Sequence, residues 1–286
     1  MPKVLILGAK GMLGQELVGE FSVHNYEVVG WDKEDLDITD YIVTATKISD
    51  LHPDVVINAV AYNAVDRIEE DKSAFDLAKK INSEAVENLA GICKEIHSVL
   101  VHYSSDYVFK GDKKDGYTED DQTDPINKYG QTKAVAEKSI LDVGDKFYLI
   151  RLSKLFGKPA VSVGAKKSFV DTMIYLATEG GKKHLDLVDE EIGCITYAPD
   201  LAQLTRKIVE DGRPFGIYHG SNSGVCSWYE WAKKIFEIKK INIEVAPVGG
   251  DKFPRPARRP MYSELLNTKL PPQRSWQEAL QEYLTK

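Results

Sequence analysis

Tyr129 and Lys133 stand four residues apart at the start of a helix-patterned stretch, which places both side chains on one face. A tyrosine and a lysine so placed suit one kind of chemistry. Hydride delivery to a carbonyl leaves an alkoxide that must be protonated. A phenol with a pKa of about 10 is too weak an acid for this unless a nearby cation favours its phenolate. A lysine one helical turn away supplies that charge and can also hydrogen-bond a nicotinamide ribose. A hydroxyl donor to the carbonyl oxygen completes such a set. Tyr103-Ser104-Ser105-Asp106-Tyr107 offers two serines directly after an apolar run.

Such a set needs a hydride source, and the chain opens on a pattern that fits one. Gly8-Ala9-Lys10-Gly11-Met12-Leu13-Gly14 lies between a strand-like run and a helix-like run. Its glycines permit a tight turn and close backbone approach, so that a helix N-terminus can face a pyrophosphate. Asp32 ends the second strand-like run about 20 residues on, where a carboxylate can hold a ribose hydroxyl. Asp32 would repel a 2′-phosphate and so favour NADH, whereas Lys10 and Lys33 could neutralise one and favour NADPH. Two lysines against one carboxylate tilt the expectation to NADPH, with NADH also usable.

These groups must be held by alternating strands and helices. Residues 3–7, 27–31 and 54–58 are short Val/Ile/Leu-rich runs suited to strands buried on both faces. Helical stretches are expected at 12–21, 39–49 and, as one long amphipathic segment, 73–95. A strand at 99–103, a turn-rich loop over 111–125, a helix over 126–141 and a strand at 147–152 follow. This alternation predicts a doubly wound parallel sheet with right-handed crossovers, an α/β Rossmann fold. After Arg151 the rhythm loosens. Helices are expected near 168–178, 199–210 and 227–238, with short strands near 185–188, 217–219 and 243–246. The reading is a dinucleotide-binding domain over 1–152 and a smaller α/β substrate lobe over 153–286, which can return elements to the first domain.

Composition narrows the class. The 286 residues are 43% hydrophobic and 28% charged, ordinary globular usage, and no run approaches the ~20 apolar residues of a membrane span. The first eight residues are too short for a signal-peptide core and read as the first strand. A net charge of −7 disfavours general binding to nucleic acid or an anionic membrane. Cys93, Cys194 and Cys226 are odd in number and widely spaced, as expected of reduced packing residues in a cytoplasmic protein. The six histidines show no ligand spacing, so structural roles are expected for them, and no metal site is predicted. Self-association as a homodimer stays open.

The chain resembles the extended short-chain dehydrogenase/reductases and, within them, the dTDP-4-dehydrorhamnose reductase family, through most of its length. The specific segments are Asn58-Ala-Val-Ala-Tyr-Asn-Ala-Val-Asp66, Val101-His-Tyr-Ser-Ser-Asp-Tyr-Val-Phe109, Pro125-Ile-Asn-Lys-Tyr-Gly-Gln-Thr-Lys133 and Arg255-Pro-Ala-Arg-Arg-Pro-Met-Tyr-Ser263. The resemblance implies that the hydroxyl donor is Ser105 rather than Ser104. Tyr129 and Lys133 match the proton donor and its partner at the cofactor. Ala59, Ala61 and Tyr62 match the segment along the cofactor, and Asp37 and Ile38 the part bordering the adenine. It further implies NADPH-dependent reduction of the 4-keto group of a nucleotide-linked deoxysugar, dTDP-4-dehydro-L-rhamnose to dTDP-L-rhamnose. Tyr107 and Val108 would border the sugar. Lys252 together with Arg255, Arg258 and Arg259 forms a basic loop in an acidic protein, as binding of a nucleotide diphosphate demands.

Two departures bear on the substrate. Lys154 stands where the family often has a sugar-facing Trp, and Asp189-Glu-Glu-Ile-Gly-Cys-Ile-Thr-Tyr197 replaces a more usual Asp-Gln-x-Gly-x-Pro-Thr. Glu16 matches a position described as binding magnesium in some members, but a single surface glutamate on a helix is ordinarily solvated. A nucleotide-sugar epimerase or dehydratase shares Ser, Tyr and Lys, although no Glu follows Asp106 as a dehydratase would need. A non-catalytic NADP-binding regulatory subunit of the methionine adenosyltransferase type is the alternative from another class.

Overall fold

Strands β1 (Lys3–Leu7), β2 (Glu27–Trp31), β3 (Val55–Asn58), β4 (Val99–Ser105) and β5 (Phe147–Leu152) lie where the apolar runs predict them. The computed structural model describes residues 1–162 and 167–286. β1 and β3 are almost wholly apolar and buried because both faces are covered. In β1, Val4 and Ile6 share a core with Leu13, Leu17 and Phe21 of the helix α1 (Met12–Ser22). Leu5 and Leu7 share the opposite core with Val86, Leu89 and Ile140. This is the period-two alternation of a strand, used twice over.

A sixth strand, Gly216–His219, joins the sheet beside β5, giving the order Gly216–His219, β5, β4, β3, β1, β2 with every pair parallel. The chain therefore moves outward from β1 to β2, then returns past β1 to β3. The loops leaving β1 and β3 diverge at this switch point and open a crevice at the carboxyl ends of the strands. The helix Ala198–Glu210 packs on α1, so the segment after residue 153 also helps to build the first unit.

The segment 73–95 is not one helix. It runs as Lys72–Lys79, a π-helical turn Lys80–Glu84, and Ala85–Glu95. The wider turn brings Asn82 and Ser83 inward, and both are buried. Asn82 accepts from Tyr62 N at 2.8 Å and donates to Tyr62 O at 3.0 Å and to Thr132 Oγ1 at 3.1 Å. Ser83 donates to Thr132 O at 2.8 Å. Buried polar groups need such partners, and a local π turn at a site is a common way to aim them.

The later part of the chain also holds a three-stranded sheet (Val225–Cys226, Ile192–Cys194, Tyr262–Ser263) and a parallel pair, His184–Val188 with Glu244–Val248. Helices Phe169–Ala177, Trp228–Lys239 and Trp276–Thr285 surround a core containing Phe156, Trp231 and Leu280. Each begins with a capping box: Ser168 with Asp171, Ser227 with Glu230, and Ser275 with Glu278. The last helix is absent from the sequence reading, although its Ser-x-x-Glu start was available as a signal. The three cysteines are buried, and burial raises each thiol to about 12, consistent with packing roles. Among the described residues, no helix is long and apolar enough to cross a membrane.

Candidate active site

The crevice at the switch point is a cleft of about 250 Å³ lined by the ends of β1, β2 and β3. Gly8 turns with φ +78°, and a Cβ on Gly14 would lie 2.0 Å from the Gly8 carbonyl oxygen, so only glycine lets α1 approach the turn this closely. Gly11 caps α1 without a side chain, leaving no side-chain cap on the first-turn amides. Of the residues expected at the cofactor, Gly8, Gly11, Asp32, Lys33, Asp37, Ile38, Ala59 and Ala61 line the cleft. Met12 begins α1, Leu13 is buried in the core, and Gly14 packs against the turn; their side positions support the turn rather than line the cleft. Tyr62 is tied to Asn82 through its backbone.

The charges at the cleft are arranged differently from the expectation. Asp32 Oδ2 accepts from Lys10 N at 2.9 Å, and Oδ1 from Lys33 N at 2.8 Å, so this carboxylate braces the glycine turn. Lys10 Nζ pairs with Glu34 at 3.1 Å, which draws its charge off, whereas Lys33 borders the cleft. Thr39 hydrogen bonds hold the Asp37 carboxyl below its ordinary range. Trp31, Leu36, Thr39, Val60, Leu77 and Ile81 also line the cleft and were not anticipated. Periodicity marks such residues as core and gives no sign that they end at an opening.

Two strands away from β1, at the end of β4, Ser105 and Tyr129 come together. Tyr129 sits on the helix Lys128–Val143, which Asn127 caps by accepting from Gly130 N at 2.8 Å. A Cβ on Gly130 would lie 2.1 Å from Tyr107 O, so this glycine sets how closely the helix meets the turn after β4. The Tyr129 ring meets Tyr107 edge-on, with centroids 5.8 Å apart. Burial raises the Tyr129 phenol to about 12; the Asp106 charge adds to this, and the nearby Ser105 hydroxyl opposes it. Ser105 Oγ donates to Asp106 Oδ1 at 3.1 Å and accepts from Tyr107 N at 3.2 Å. Asp106 is buried, and burial raises its carboxyl against three serine hydroxyls, those of Ser263, Ser153 and Ser105.

In this structure the hydrogen-bond partners of Lys133 lie on β4. Its Nζ donates to Tyr103 O at 2.6 Å and lies 3.1 Å from His102 Nε2. Spacing puts two side chains on one face, but a long lysine takes whatever acceptors its burial offers. Burial lowers Lys133 to about 8, with the Glu137 carboxylate opposing.

The sugar-side residues separate. Tyr107 meets the Tyr129 ring and feels the charges of Arg259 and Arg255 in the basic loop. The Val108 side chain is fully buried in a cluster with Phe109, Tyr117, Cys194 and Leu265, so it cannot border a sugar. Lys154, with φ +41°, donates to Glu191 O at 3.2 Å and Cys226 O at 3.0 Å, and its Nζ lies 4.9 Å from the Trp228 ring. Burial lowers its pKa. In the basic loop, Lys252 pairs with Asp186, Arg255 with Glu191, and Arg259 with Asp66 at 2.7 Å. Arg258 is exposed and has no ion-pair partner among the described residues, while its carbonyl accepts from Asn127 Nδ2 at 2.9 Å. The loop thus reaches the cap of the helix bearing Tyr129.

A family model described as the RmlD substrate binding domain matches residues 2–286. A dTDP-4-dehydrorhamnose reductase of Mycolicibacterium smegmatis is 34% identical over 98% of this chain and 84% of its own. The chain belongs to the dTDP-4-dehydrorhamnose reductase family. A Streptomyces antibioticus relative, named a probable dTDP-4,6-dihydroxy-2-methyloxan-3-one 4-ketoreductase, is 36% identical over 97% of this chain and 93% of its own. The solved dTDP-4-dehydrorhamnose reductase of Bacillus anthracis, in complex with NADP, superposes with a TM-score of 0.92 at 34% identity, covering 100% of this chain and 99% of that one.

As an oxidoreductase of this reductase family, the chain carries site groups that sequence reasoning passed over. Asp106 organises Ser105, His102 touches Lys133, and Asn58 touches His102. All three lie inside the motifs that carry the family resemblance. Strand alternation puts His102 on the face opposite Tyr103 and Ser105, toward the helix of Lys133, which was the available signal.

Proposed function

We propose that the protein uses NADPH to reduce the 4-keto group of a dTDP-linked 6-deoxysugar, with dTDP-4-dehydro-L-rhamnose as the substrate. The observation that carries this reading is the Ser105–Tyr129 pair at the end of β4, in the same sheet as a glycine-turned cleft at the β1/β3 switch point. The residues present fit a dinucleotide. Gly8 and Gly14 form a cradle that a Cβ would fill, and the uncapped first turn of α1 offers amides to an anion. Asp37, Ile38, Ala59 and Ala61 would hold the adenosine side, and Lys33 would meet a 2′-phosphate. The cofactor, when bound, supplies hydride to the carbonyl carbon.

The chain's own residues handle the carbonyl oxygen. Tyr129 gives its phenolic proton to that oxygen, and burial keeps the phenol protonated until it is needed. Ser105 stabilises the developing negative charge by hydrogen bonding, held in place by Asp106 and Tyr107 N. Lys133 stabilises the phenolate left behind. Arg258 is the basic-loop cation left for the diphosphate, because Arg255 and Arg259 already have carboxylate partners. Lys154 would add a donor beside the sugar. The named activities of the M. smegmatis and S. antibioticus relatives, and the NADP bound by the B. anthracis enzyme, support the same reading.

The test is loss of NADPH absorbance with purified protein and enzymatically generated dTDP-4-dehydro-L-rhamnose, with NADH in parallel. Rapid oxidation is expected with NADPH. No oxidation of either cofactor with this substrate would refute the sugar assignment.

A further inference from the structure

Three buried side chains form a line behind the active site, and two of them, His102 and Asn58, have no part in the reaction as described. Lys133 Nζ lies 3.1 Å from His102 Nε2, and His102 Nδ1 lies 3.2 Å from Asn58 Nδ2. Val60 N donates to Asn58 Oδ1 at 3.1 Å. His102 is fully buried, and Asn58 and Lys133 are nearly so. The line runs from the catalytic helix, through β4, to the end of β3, where Val60 borders the cofactor cleft.

Counting donors assigns the protons. A backbone N–H can only donate, so Val60 fixes the oxygen of Asn58 toward itself and the amide nitrogen toward His102. His102 Nδ1 must then accept and carries no proton. Burial pushes the imidazole well below its usual pKa, so it is neutral, and its one proton sits on Nε2. That N–H points at Lys133. An ammonium has no lone pair to receive it, whereas a neutral amine does, while still donating to Tyr103 O.

We propose that His102 is a positioning residue for Lys133: its Nε2–H faces the lysine nitrogen, favours the neutral amine and so eases proton exchange at this lysine. The inference rests on the reductase reading and deepens it. The groups facing Lys133 are few. Glu137 and Tyr129 lie one turn away on its own helix, and Glu137 is held by Arg151 of β5. β4 contributes His102 and the Tyr103 carbonyl, and β3 contributes the uncharged Asn58 behind His102. Burial lowers Lys133 to about 8 and the Glu137 carboxylate opposes it; the His102 N–H acts in the same direction as burial. Coupling through Asn58 links this lysine to the backbone beside the cofactor.

Nitrogen-15 NMR tests the idea without substrate. In histidine-labelled wild-type protein, His102 is expected to show a protonated Nε2 and a bare Nδ1; the reverse tautomer overturns the proposal. In lysine-labelled protein, with Lys133 assigned by its absence in Lys133→Met, the Nζ titration is followed in wild type and in His102→Gln. Glutamine reaches the same place and can turn its oxygen to the ammonium. The midpoint should then move to higher pH by about one unit, a tenfold change in proton affinity, and the alkaline limb of kcat/KM should move with it. Equal midpoints in the two proteins overturn the proposal. The tautomer measurement needs no variant and so stands even where His102→Gln fails to fold. Absence of NADPH oxidation by the wild type would instead sink the reductase reading and leave both spectra unaffected.

Discussion

Ser105 donates to Asp106 Oδ1 at 3.1 Å, while Asp106 Oδ2 accepts from Ser153 at 2.8 Å and Ser263 at 2.7 Å. Ser153 follows β5 and Ser263 lies in the strand Tyr262–Ser263, so one buried carboxylate ties the hydroxyl donor of the active site to both segments. Asp106→Asn keeps the shape but provides only one accepting atom, and at least one hydroxyl loses its partner. Turnover should fall roughly tenfold or more through misplacement of Ser105, with stability reduced by about 1–3 kcal/mol. Steady-state kinetics and thermal melting measure both; unchanged turnover would remove Asp106 as the organiser of Ser105.

Tyr129→Phe removes the acid and leaves the ring against Tyr107. Turnover should drop by ~100-fold or more, the scale of lost acid catalysis. NADPH affinity, measured by fluorescence titration, should be nearly unchanged. Turnover equal to wild type would exclude Tyr129 as the proton donor.

The pH profile follows from Lys133. Its pKa is lowered to about 8, so the ammonium that stabilises the phenolate loses its proton as pH rises through that value. The Tyr129 phenol, raised to about 12, stays protonated across the same range. The value of kcat/KM should therefore decline on the alkaline side of about pH 8, measured from about pH 6 to about pH 10. A flat profile would show that the charge on Lys133 is dispensable.

Arg258→Ala should raise the KM for the nucleotide sugar about tenfold, the scale of one charge-assisted hydrogen bond, with kcat largely kept. Arg259→Ala removes a partner of Asp66 and should act mainly on the position of the loop. Initial rates over a range of substrate concentrations separate the two. A larger KM effect for Arg259→Ala would move the diphosphate contact to that residue.

Lys33→Ala tests cofactor choice. Lys33 borders the cleft while Lys10 is held by Glu34. The KM for NADPH should rise several-fold, on the order of one exposed charge interaction, and that for NADH should change little. Equal effects on both cofactors would argue against a 2′-phosphate contact there.

Much of the scaffold was readable from local pattern. β1, β2 and β5 fall on the expected residues, because short runs rich in Val, Ile, Leu and aromatic residues favour strands wherever the sheet finally buries them. The glycine turn was legible because tight backbone approach demands glycine wherever the chain finally lies. The pairing of Tyr129 and Lys133 on one face followed from helical geometry alone. The π turn at Lys80–Glu84 was not legible: it answers to Thr132 and Tyr62, which are distant in sequence.

The sequence by itself therefore determined the elements, the alternation that makes a parallel sheet, and the residue types available at the site. Tertiary structure decided the partners. Asp66 claims Arg259, Glu191 claims Arg255, and the core claims Val108. His102 and the Tyr103 carbonyl, rather than Tyr129, receive Lys133. The physical reason is that strand and helix periods are properties of neighbouring residues, whereas a buried charge or donor takes the best acceptor brought within reach by the whole fold.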